Sequence, residues 1–580
     1  MNVWPHSLRR ILENLQPRIL IGQAGLTACY ALFLFEVIEL AGFNFLRIVY
    51  ALGAFTTFSL FLLALTRYAW IRIVAAVGFF LLVWANLLHY RYFGSSIPLG
   101  SIYNIGFLPY LDTEIYRLAR AKDIIILLLL PVAIIPLRSN LFAKRGAAAR
   151  GGALLLGLYA AMVLFQFFTE TQSTVNRVRK YGINETRLQI YLSNRLHSED
   201  HLGSILQFGF IWTYFSDYLR LGGSKPPLEE IPLGNLVFIA AGARTPNIVV
   251  IEVEALDREI IGYTHQGQPV TPYLNRLAEN QIFFNNIYAQ HSSAGGTSDG
   301  DFCFLTSQYP LGYKGSLGAV GLEKLPSVPR VLAANRYSTM AFHAHQGSLY
   351  RRREGFSKLG FAGLYFKEHF QIDDPDRWHT LKDRDFFNQV IEIIAAAPEP
   401  FFAYIITLSS HSPFDLIGVE DYISSFQSES PLVQNYFNSM HYVDAALEML
   451  ITELQGRYPD TVFILFGDHT SNLRTTEYTS TDDPKIHPIP VIIIDPQFSG
   501  PALYSQPGTT IDLAPTLFDL LDFDPPAFWQ GRSLLSPPDH FIPVILIDSD
   551  YYIDSLGAIQ RISSDYPDLT ATKRIRRYIR

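Results

Sequence analysis

The amino-acid sequence predicts an N-terminal polytopic α-helical membrane domain followed by an α/β domain with a mostly parallel central sheet. Only 17% of the 580 residues are charged, whereas soluble proteins usually have about 25%. The long apolar stretches that account for this low fraction of charged residues all lie in the first third of the chain. The remainder alternates short apolar runs with helix-like segments, which is typical of an α/β domain.

The apolar stretches of the first third are candidate membrane spans. Five are visible, at about 18–40, 47–66, 72–90, 123–137 and 151–168. A spanning helix needs about 20 mostly apolar residues, and four of the stretches reach that length. The fourth is short and contains Pro131 and Pro136, so it is either a kinked span or a half-span.

The basic residues between these stretches predict the orientation of the chain. Positive charges precede the first stretch and fill alternate loops, at Arg9, Arg10, Arg18, Arg67, Arg72, Arg138, Lys144, Arg145 and Arg150. Cytoplasmic loops carry such an excess, so the N-terminus is predicted to be cytoplasmic. Five spans of an inner or plasma membrane then place everything after residue 170 in the periplasm or outside the cell.

Composition along the chain predicts four segments. They are the transmembrane domain at 1–170, interfacial linker helices at 171–227, the α/β domain at 228–545, and a C-terminal extension with a basic tail at 546–580. The linker is rich in aromatic residues, which suits a helix in the membrane interface or one packed on the soluble core. The net charge of −7 gives no reason to expect nucleic acid as a partner.

The α/β domain contains short apolar runs that predict strands buried on both faces of a sheet. The predicted strands are Ile248–Val253, Phe401–Thr407, Val462–Phe466 and Val491–Ile494. The predicted helices include Tyr273–Asn280, Asp383–Ala397, Leu432–Leu454 and Asp512–Leu521. Sites in such sheets form at the carboxyl ends of the strands, which directs attention to the polar residues that follow these runs.

Residues suited to bind a divalent metal follow two of the predicted strands. Glu254 directly follows the first, and Gly467-Asp468-His469 directly follows the third. Carboxylate and imidazole groups bind hard or borderline divalent ions. A lone Glu at a strand end is usually solvated, and Gly-Asp-His occurs often by chance, so the prediction depends on the residues occurring together.

Thr297 is the candidate nucleophile and fourth ligand. It lies in the run Ser-Ala-Gly-Gly-Thr-Ser-Asp-Gly-Asp (293–301), where Gly295 and Gly296 permit a tight loop. A threonine hydroxyl is a poor nucleophile at neutral pH, and coordination to a metal lowers its effective pKa. Without Glu254 and Gly467-Asp468-His469 elsewhere in the chain, this run would be interpreted as a solvated loop.

Further polar residues are candidates for binding a phosphate-containing substrate. They are His343, His345, Tyr350, Arg352, His411 and His487. Arginine recognises phosphate oxygens with two parallel hydrogen bonds, and a histidine can protonate a leaving group. The alternatives are a solvated basic loop at 351–353 and structural roles for the histidines.

These motifs together resemble the lipoteichoic acid synthase and phosphoglycerol transferase family, which is sulfatase-like and belongs to the alkaline phosphatase superfamily. The resemblance covers nearly the whole chain. It rests on Val-Glu-Ala-Leu at 253–256, Gly-Thr-Ser-Asp-Gly-Asp-Phe at 296–302, the segments 342–352, 377–387 and 407–411, and Gly-Asp-His at 467–469. The closing segment, with Ile-Asp-Leu-Ala-Pro-Thr at 511–516, is similar to sulfatase-like domains generally.

The resemblance implies one divalent metal ion, usually Mn²⁺ with Mg²⁺ and Zn²⁺ as alternatives. The positions that match its ligands are Glu254, Thr297, Asp468 and His469. It also implies that Thr297 becomes phosphoglycerylated and that His343, Arg352 and His411 surround the glycerol phosphate. The family often has aspartate where His345 stands and tryptophan where Tyr350 stands. Both positions face the headgroup, so the identity of the headgroup or acceptor stays open.

The expected function is a two-step transfer of a phosphoglycerol headgroup from a phospholipid, phosphatidylglycerol by resemblance, to an envelope glycan, polymer or lipid acceptor. A phosphoethanolamine transferase shares this layout, and an inactive envelope protein that binds or senses lipid is a second alternative. A sulfatase needs Cys/Ser-x-Pro-x-Arg, whereas Cys303 is followed by Phe-Leu-Thr-Ser. The sequence therefore argues against sulfate-ester chemistry.

Overall fold

The computed structural model describes about two thirds of the chain. The described residues are 17–41, 45–66, 68–93, 97, 123–134, 150–161, 214, 218, 244–290, 297–310, 316–319, 321–376, 378–418, 426–473, 475–480, 488–498, 500–536, 542–546, 549–553 and 559–561. The chain divides into two compact units. One is made mainly of residues before 224 and the other mainly of residues from 224 onward.

All of the regular secondary structure among the described residues of the first unit is helical. Its helices are α1 (Pro17–Ala41), α2 (Phe45–Leu65), α3 (Ala69–Phe93) and α4 (Ile124–Ile134). Residues 150–161 are also helical, so helices occur in all five of the predicted apolar stretches. Within the described residues, one stretch, Ala69–Leu88, is long and apolar enough to cross a membrane. The prediction of several spans therefore stays a prediction, and the predicted linker lies outside the described residues except at 214 and 218.

The second unit is built on one large sheet. The strands of this unit are β1 (Ile248–Val253), β2 (Thr264–His265), β3 (Gln268–Pro269), β4 (Ile282–Tyr288), β5 (Ser338–His343), β6 (Gly363–Tyr365), β7 (Phe401–Ile406), β8 (Val462–Gly467), β9 (Ile489–Ile494), β10 (Ala502–Tyr504), β11 (Gly508–Thr509), β12 (Ile542–Leu546), β13 (Ser549–Ile553) and β14 (Ile559–Arg561). The order across the large sheet is β10-β4-β9-β8-β1-β7-β5-β6, with β11 paired to β4. The pairs β2–β3 and β12–β13–β14 form separate small sheets.

The large sheet is mostly parallel, as the sequence predicts. Strand β1 pairs in parallel with β7 and β8, and β5 pairs in parallel with β7 and β6. Strand β9 is antiparallel to both of its neighbours, β8 and β4. The carboxyl ends of β1, β5, β7 and β8 therefore meet at one edge of the sheet.

The sheet is buried on both faces, which explains why its strands are almost wholly apolar. In β1, the side chains of Val249, Ile251 and Val253 pack into one hydrophobic core. Those of Ile248 and Val250 pack into the other. Because successive side chains of a strand point to opposite faces, Glu252 and Glu254 face the second core.

Helices cover both faces of the sheet. They are α5 (Pro272–Asn280), α6 (Thr297–Thr306), α7 (Val328–Ala334), α8 (Arg352–Leu359), α9 (Asp383–Ala395), α10 (Pro431–Arg457) and α11 (Leu513–Leu520). Helices α5, α9 and α10 contribute to the first core, whereas α6, α7, α8 and α11 contribute to the second. Helix α6 therefore lies on the face toward which Glu252 and Glu254 point.

Candidate metal centre and nucleophile

Three potential metal ligands meet at the carboxyl edge of the sheet. Strands β1 and β8 are adjacent, and Val253 pairs with Gly467, so Glu254 and Asp468 leave the sheet side by side. The ligand atoms of Glu254, Asp468 and His469 all lie within 4.8 Å of one another. His469 Nε2 is 3.2 Å from Glu254 Oε1 and 3.3 Å from Asp468 Oδ2.

Gly467 allows β8 to end at this point. A Cβ on Gly467 would lie 2.5 Å from the carbonyl oxygen of Leu256, a distance that real side chains do not tolerate. The loop after β1 therefore passes directly over the end of β8, and glycine is what permits this close approach.

Thr297 is the first residue of α6 and faces the same cluster. Its Oγ1 lies 3.3 Å from His469 Nε2 and 3.5 Å from Glu254 Oε2, and the residue is 6% exposed. The structure thus brings together all four of the residues that the sequence grouped as ligands and nucleophile. Gly295 and Gly296, which precede Thr297, lie outside the described residues.

Backbone hydrogen bonds fix the loops that carry these side chains. The Glu254 N–H donates to Thr407 Oγ1 at 2.9 Å, and Ser410 Oγ donates to the Glu254 carbonyl at 2.7 Å. Asp468 Oδ1 accepts from Ala255 N at 2.9 Å and from His469 N at 2.7 Å. The loops after β1, β7 and β8 are consequently tied to one another next to the cluster.

The donor set fits a divalent cation. Asp468 Oδ2 is buried and makes no hydrogen bond with any described residue, so it is available as a ligand. Burial alone would raise the pKa of Glu254, but the charges of His411 and His469 lower it to about 2. Burial alone would lower the pKa of His469, but Asp468 and Glu254 raise it to about 10. Positive charge is therefore strongly stabilised at this point, as a cation site requires.

Arg352 lies close to the cluster and is 1% exposed. Its Nε donates to Asp301 Oδ2 at 2.7 Å, and its guanidinium lies 5.4 Å from the centre of the Tyr350 ring. The positive charge of Arg352 contributes to lowering the pKa of Glu254. Arg352 and Tyr350 are thus both placed at the site, as the sequence predicts.

His343, His345 and His411 line a second part of the site together with Trp378. The His343 and His345 ring centres are 6.2 Å apart, and the Trp378 ring lies 6.0 Å from His345 and 4.6 Å from His411. Burial, and then the charges of His411, Arg352 and Lys367, lower the pKa of His345 to about 3. Burial and the charge of Arg352 lower the pKa of His343 well below its usual value. Both imidazoles are therefore neutral near pH 7.

Some residues at the site were not predicted from the sequence. Trp378 lies in the segment 377–387 that contributes to the family resemblance, but the sequence did not indicate a role for it. Its side chain is 4% exposed, and its ring contacts that of His411. Asp301 could have been noticed, because it follows Thr297 by four residues and so shares its helix face. Thr407 carries no distinguishing pattern in the sequence. His487, a predicted substrate residue, lies outside the described residues.

The α/β unit that carries this cluster is sulfatase-like. The family model "Sulfatase" matches residues 246–523, a range that includes Glu254, Thr297, Asp468 and His469. Lipoteichoic acid synthase 2 of Bacillus subtilis (strain 168) is 28% identical over 318 residues, which cover 51% of this chain and 48% of that protein. The chain thus matches about half the length of this relative.

Two further comparisons extend over more of the chain. Lipoteichoic acid synthase 1 of Bacillus subtilis (strain 168) is 24% identical over 521 residues, covering 83% of this chain and 78% of the relative. The integral membrane protein lipooligosaccharide phosphoethanolamine transferase A from Neisseria meningitidis has a similar fold. Its TM-score is 0.55 at 16% sequence identity, with 87% of this chain and 95% of that chain covered. These matches support the family that the sequence motifs resemble, the lipoteichoic acid synthase and phosphoglycerol transferase family of sulfatase-like proteins.

Proposed function

We propose that this protein is a membrane-anchored, metal-dependent phosphotransferase. It transfers the phosphoglycerol headgroup of phosphatidylglycerol, through a covalent intermediate on Thr297, to a hydroxyl group of an envelope glycan, polymer or lipid. The observation that carries the proposal is the position of the Thr297 hydroxyl, 3.3 Å from His469 Nε2 and 3.5 Å from Glu254 Oε2. The names of the relatives, lipoteichoic acid synthases 1 and 2, support the substrate class.

Glu254, Thr297, Asp468 and His469 would hold the metal ion, for which Mn²⁺ is the first choice and Mg²⁺ and Zn²⁺ are alternatives. When bound, such an ion lowers the pKa of the threonine hydroxyl and neutralises charge that develops on the phosphoryl oxygens. The protein itself fixes the hydroxyl, because Thr297 begins a helix whose remaining residues are buried.

The remaining chemistry is assigned to the side chains around the phosphate. Thr297 Oγ1 attacks the phosphorus and loses its proton to solvent, and the bond from phosphorus to the diacylglycerol oxygen breaks. Arg352 and His343 hold the phosphoryl oxygens. His411, whose Nδ1 lies 2.7 Å from the Ser412 carbonyl oxygen, donates a proton to the departing oxygen. In the second step His411 takes the proton of the acceptor hydroxyl, whose oxygen attacks phosphorus. The bond from phosphorus to Thr297 Oγ1 breaks, and Oγ1 regains a proton from solvent.

The part of the site lined by His343, His345, His411 and Trp378, which we call the headgroup pocket, favours a neutral headgroup over a cationic one. The described rings next to His345 are those of His343 and Trp378, and the imidazole of His345 is neutral near pH 7 because its pKa is about 3. Arg352 also places a positive charge near this pocket. A positively charged ethanolamine group would be repelled there, whereas the hydroxyl groups of glycerol can hydrogen-bond to neutral imidazoles.

A membrane anchor places the domain at the surface where the donor lipid lies. The proposed arrangement has a cytoplasmic N-terminus, a transmembrane domain at 1–170, a linker at 171–227 and an external catalytic domain at 228–545. The candidate span Ala69–Leu88 and the fold shared with an integral membrane protein support this arrangement. The extension at 546–580 ends in a basic tail that suits contact with anionic lipid.

The test is to incubate the full-length protein in detergent micelles with Mn²⁺ and either labelled phosphatidylglycerol or labelled phosphatidylethanolamine. We expect diacylglycerol from phosphatidylglycerol and a phosphoglycerol mass adduct on Thr297. Diacylglycerol from phosphatidylethanolamine alone would favour a phosphoethanolamine transferase. Release from neither lipid would contradict the transferase proposal and favour the lipid-binding alternative.

A matched pair of variants tests the nucleophile. Thr297→Ala should abolish both the adduct and diacylglycerol release. Thr306→Ala is the control, because Thr306 ends the same buried helix and its Oγ1 donates to the Phe302 carbonyl at 2.7 Å. Equal activity of the two variants would rule out Thr297 as the nucleophile.

A further inference from the structure

Helix α6 carries a buried carboxylate, that of Asp301, one turn beyond Thr297. Thr297 and Asp301 are four residues apart on this helix and therefore lie on the same face. Arg352 Nε donates to Asp301 Oδ2 at 2.7 Å, and the two side chains are 1% and 0% exposed. A single rigid helix thus connects the nucleophilic hydroxyl to the group that holds the phosphate-binding arginine.

The ion pair is arranged in a way that leaves the arginine able to bind an anion. Asp301 engages only the Nε of Arg352, and Arg352 Nη2 makes no hydrogen bond with any described residue although it is buried. Buried ion pairs contribute little net stability unless their remaining hydrogen-bonding groups are satisfied. An unsatisfied buried guanidinium nitrogen next to the metal ligands is better explained by a ligand than by stability.

The backbone on the other side of the ion pair is strained. Tyr350 and Arg351, the two residues directly before Arg352, have φ angles of 51° and 59°. Residues other than glycine rarely adopt this left-handed conformation, and it persists where the surrounding structure enforces it. The strained turn at Tyr350 and Arg351 therefore positions the Arg352 side chain, which forms an ion pair with Asp301.

We infer that Asp301 is a positioning residue that sets the guanidinium of Arg352 at a fixed distance from the Thr297 hydroxyl, so that a phosphoryl group bound by Arg352 lies in front of the nucleophile. This inference rests on the proposed function for the identity of the lipid, but the recognition of a phosphoryl group by Arg352 does not depend on which lipid carries it. Asp301 acts through Arg352 and does not itself contact the substrate.

The deciding variant is Asp301→Glu in the full-length Mn²⁺-loaded protein. It keeps the negative charge that neutralises Arg352 and moves the carboxylate by one methylene group. We expect the protein to fold and kcat with phosphatidylglycerol to fall about 100-fold, because a displacement of about 1 Å at a reacting group has an effect of that size. An unchanged kcat would overturn the inference.

The control is Asp495→Glu. Asp495 accepts a hydrogen bond from Arg244 Nη1 at 2.6 Å and is 5% exposed, so it is also a buried carboxylate paired with arginine. It follows β9, the strand that runs antiparallel to β8, and therefore lies at the opposite edge of the sheet from the metal centre. We expect this variant to keep its kcat, and a loss equal to that of Asp301→Glu would overturn the inference.

A double-mutant cycle with Arg352→Ala separates positioning from a general structural role. In the Arg352→Ala background, Asp301→Glu should change kcat less than about twofold, since residues that act through one another are not additive. A loss as large as in the wild-type background would show that Asp301 acts independently of Arg352. Melting temperatures of all variants, measured in parallel, identify any effect of folding.

Binding of inorganic phosphate distinguishes failure of this inference from failure of the proposed function. If the wild-type protein cleaves neither lipid, calorimetric titration of the Mn²⁺-loaded protein with inorganic phosphate still tests the role of Asp301. We expect Asp301→Glu to weaken phosphate binding about tenfold, which corresponds to the loss of one well-placed charge-assisted hydrogen bond. Equal phosphate affinity of variant and wild type would overturn the inference.

Discussion

Gly300 packs directly against the Glu252 carboxyl group. A Cβ on Gly300 would lie 2.7 Å from Glu252 Oε1 and 3.4 Å from Asp468 Cβ. Gly300 is three residues after Thr297, on the same face of α6. The helix that carries Thr297 can therefore approach the sheet only because this position lacks a side chain. Glu252 in turn accepts a hydrogen bond from the Tyr404 hydroxyl, which holds its carboxyl group under the helix.

Gly300→Ala should displace α6 from the metal ligands. The new methyl group meets Glu252 Oε1 and the backbone side of Asp468, so the helix must move by several tenths of an ångström or more. We expect an overpacking cost of about 1–3 kcal/mol and a loss of adduct formation on Thr297. The measurements are chemical denaturation and mass spectrometry of the adduct.

Gly456→Ala is the control for this substitution. Gly456 lies in α10, and a Cβ there would have nothing within 4 Å. Because alanine is the better helix former, we expect this variant to be more stable by up to about 1 kcal/mol. If Gly300→Ala behaved like Gly456→Ala in both measurements, the close approach of α6 to Glu252 would not matter for the site.

Adding a divalent ion should stabilise the α/β domain. An ion that binds the folded state alone adds about 2.7 kcal/mol when its concentration is 100 times its Kd. We therefore expect the melting temperature of the chelator-treated protein to rise on addition of Mn²⁺, and Asp468→Asn to abolish most of this rise. Differential scanning fluorimetry over a range of Mn²⁺ concentrations measures it.

The comparison variant for metal binding is Asp444→Asn. Asp444 is also a buried carboxylate, but it accepts the Tyr273 and Leu274 N–H groups at 2.8 Å each, at the start of α5. This variant should melt at a lower temperature and keep the full Mn²⁺-dependent rise. A rise that survived in Asp468→Asn but vanished in Asp444→Asn would contradict the assigned centre.

Asp383→Asn should loosen the loop that carries His411. Asp383 Oδ1 and Oδ2 accept the N–H groups of Leu408 and Ser409 at 2.9 and 3.0 Å. An asparagine offers one oxygen, so its amide group would face one of these donors and leave it unpaired. We expect a destabilisation of about 1–3 kcal/mol and a lower kcat, measured by denaturation and lipid turnover.

Asp385→Asn provides the matched control for Asp383. Asp385 lies in the same first turn of α9 and is exposed, so both variants remove one negative charge from the helix N-terminus. Only the Asp383 variant removes acceptors from the 407–411 loop. Similar kcat losses in both variants would indicate a general charge effect.

His345 should make the protein sensitive to mild acid. Its pKa in the folded protein is about 3, against 6.5 for the unperturbed group, so the unfolded state binds a proton that the folded state does not. The stabilising contribution of neutral His345 is present above pH 6.5 and is lost as pH falls toward 3. The expected slope is at most about 1.4 kcal/mol per pH unit.

The variant that tests this pH dependence is His345→Asn. The asparagine oxygen can replace His345 Nδ1, which accepts the Gln346 N–H at 2.7 Å, but the side chain does not titrate. Denaturation at a series of pH values between 7 and 4 should show a shallower loss of stability in the variant. Identical slopes for variant and wild type would mean that His345 is protonated in the folded protein as easily as in the unfolded one.

Apolar runs were sufficient to predict the central strands of the sheet. The predicted Ile248–Val253 is β1 as observed, and the predicted Val462–Phe466 differs from β8 by one residue. Both strands are buried on both faces, so their sequences contain an unbroken apolar signal. Strand β4 was not predicted because its sequence, Ile-Phe-Phe-Asn-Asn-Ile-Tyr, contains two asparagines that are only partly buried.

The direction of β9 and the partner of Arg352 could not be obtained from the sequence. An apolar run looks the same whether its strand is parallel or antiparallel, and β9 is antiparallel to β8. The pairing of Arg352 with Asp301 joins residues 51 positions apart, and no local spacing reports such a contact. Glu254 and the pair Asp468-His469, by contrast, could be recognised as candidate ligands because they directly follow β1 and β8.

The two carboxylate oxygens of Asp468 make different interactions, and this difference affects the rate at which a metal ion would exchange. Oδ1 already accepts two backbone N–H groups, and Oδ2 faces His469. The backbone hydrogen bonds to Oδ1 therefore orient the carboxylate independently of Oδ2, the oxygen that would bind an ion. Exchange of one divalent ion for another should proceed at the rate of ligand dissociation and be far faster than unfolding of the domain. The identity of the bound ion should then depend on which divalent ions are available in the surroundings. It should not depend on which ion was present when the chain folded.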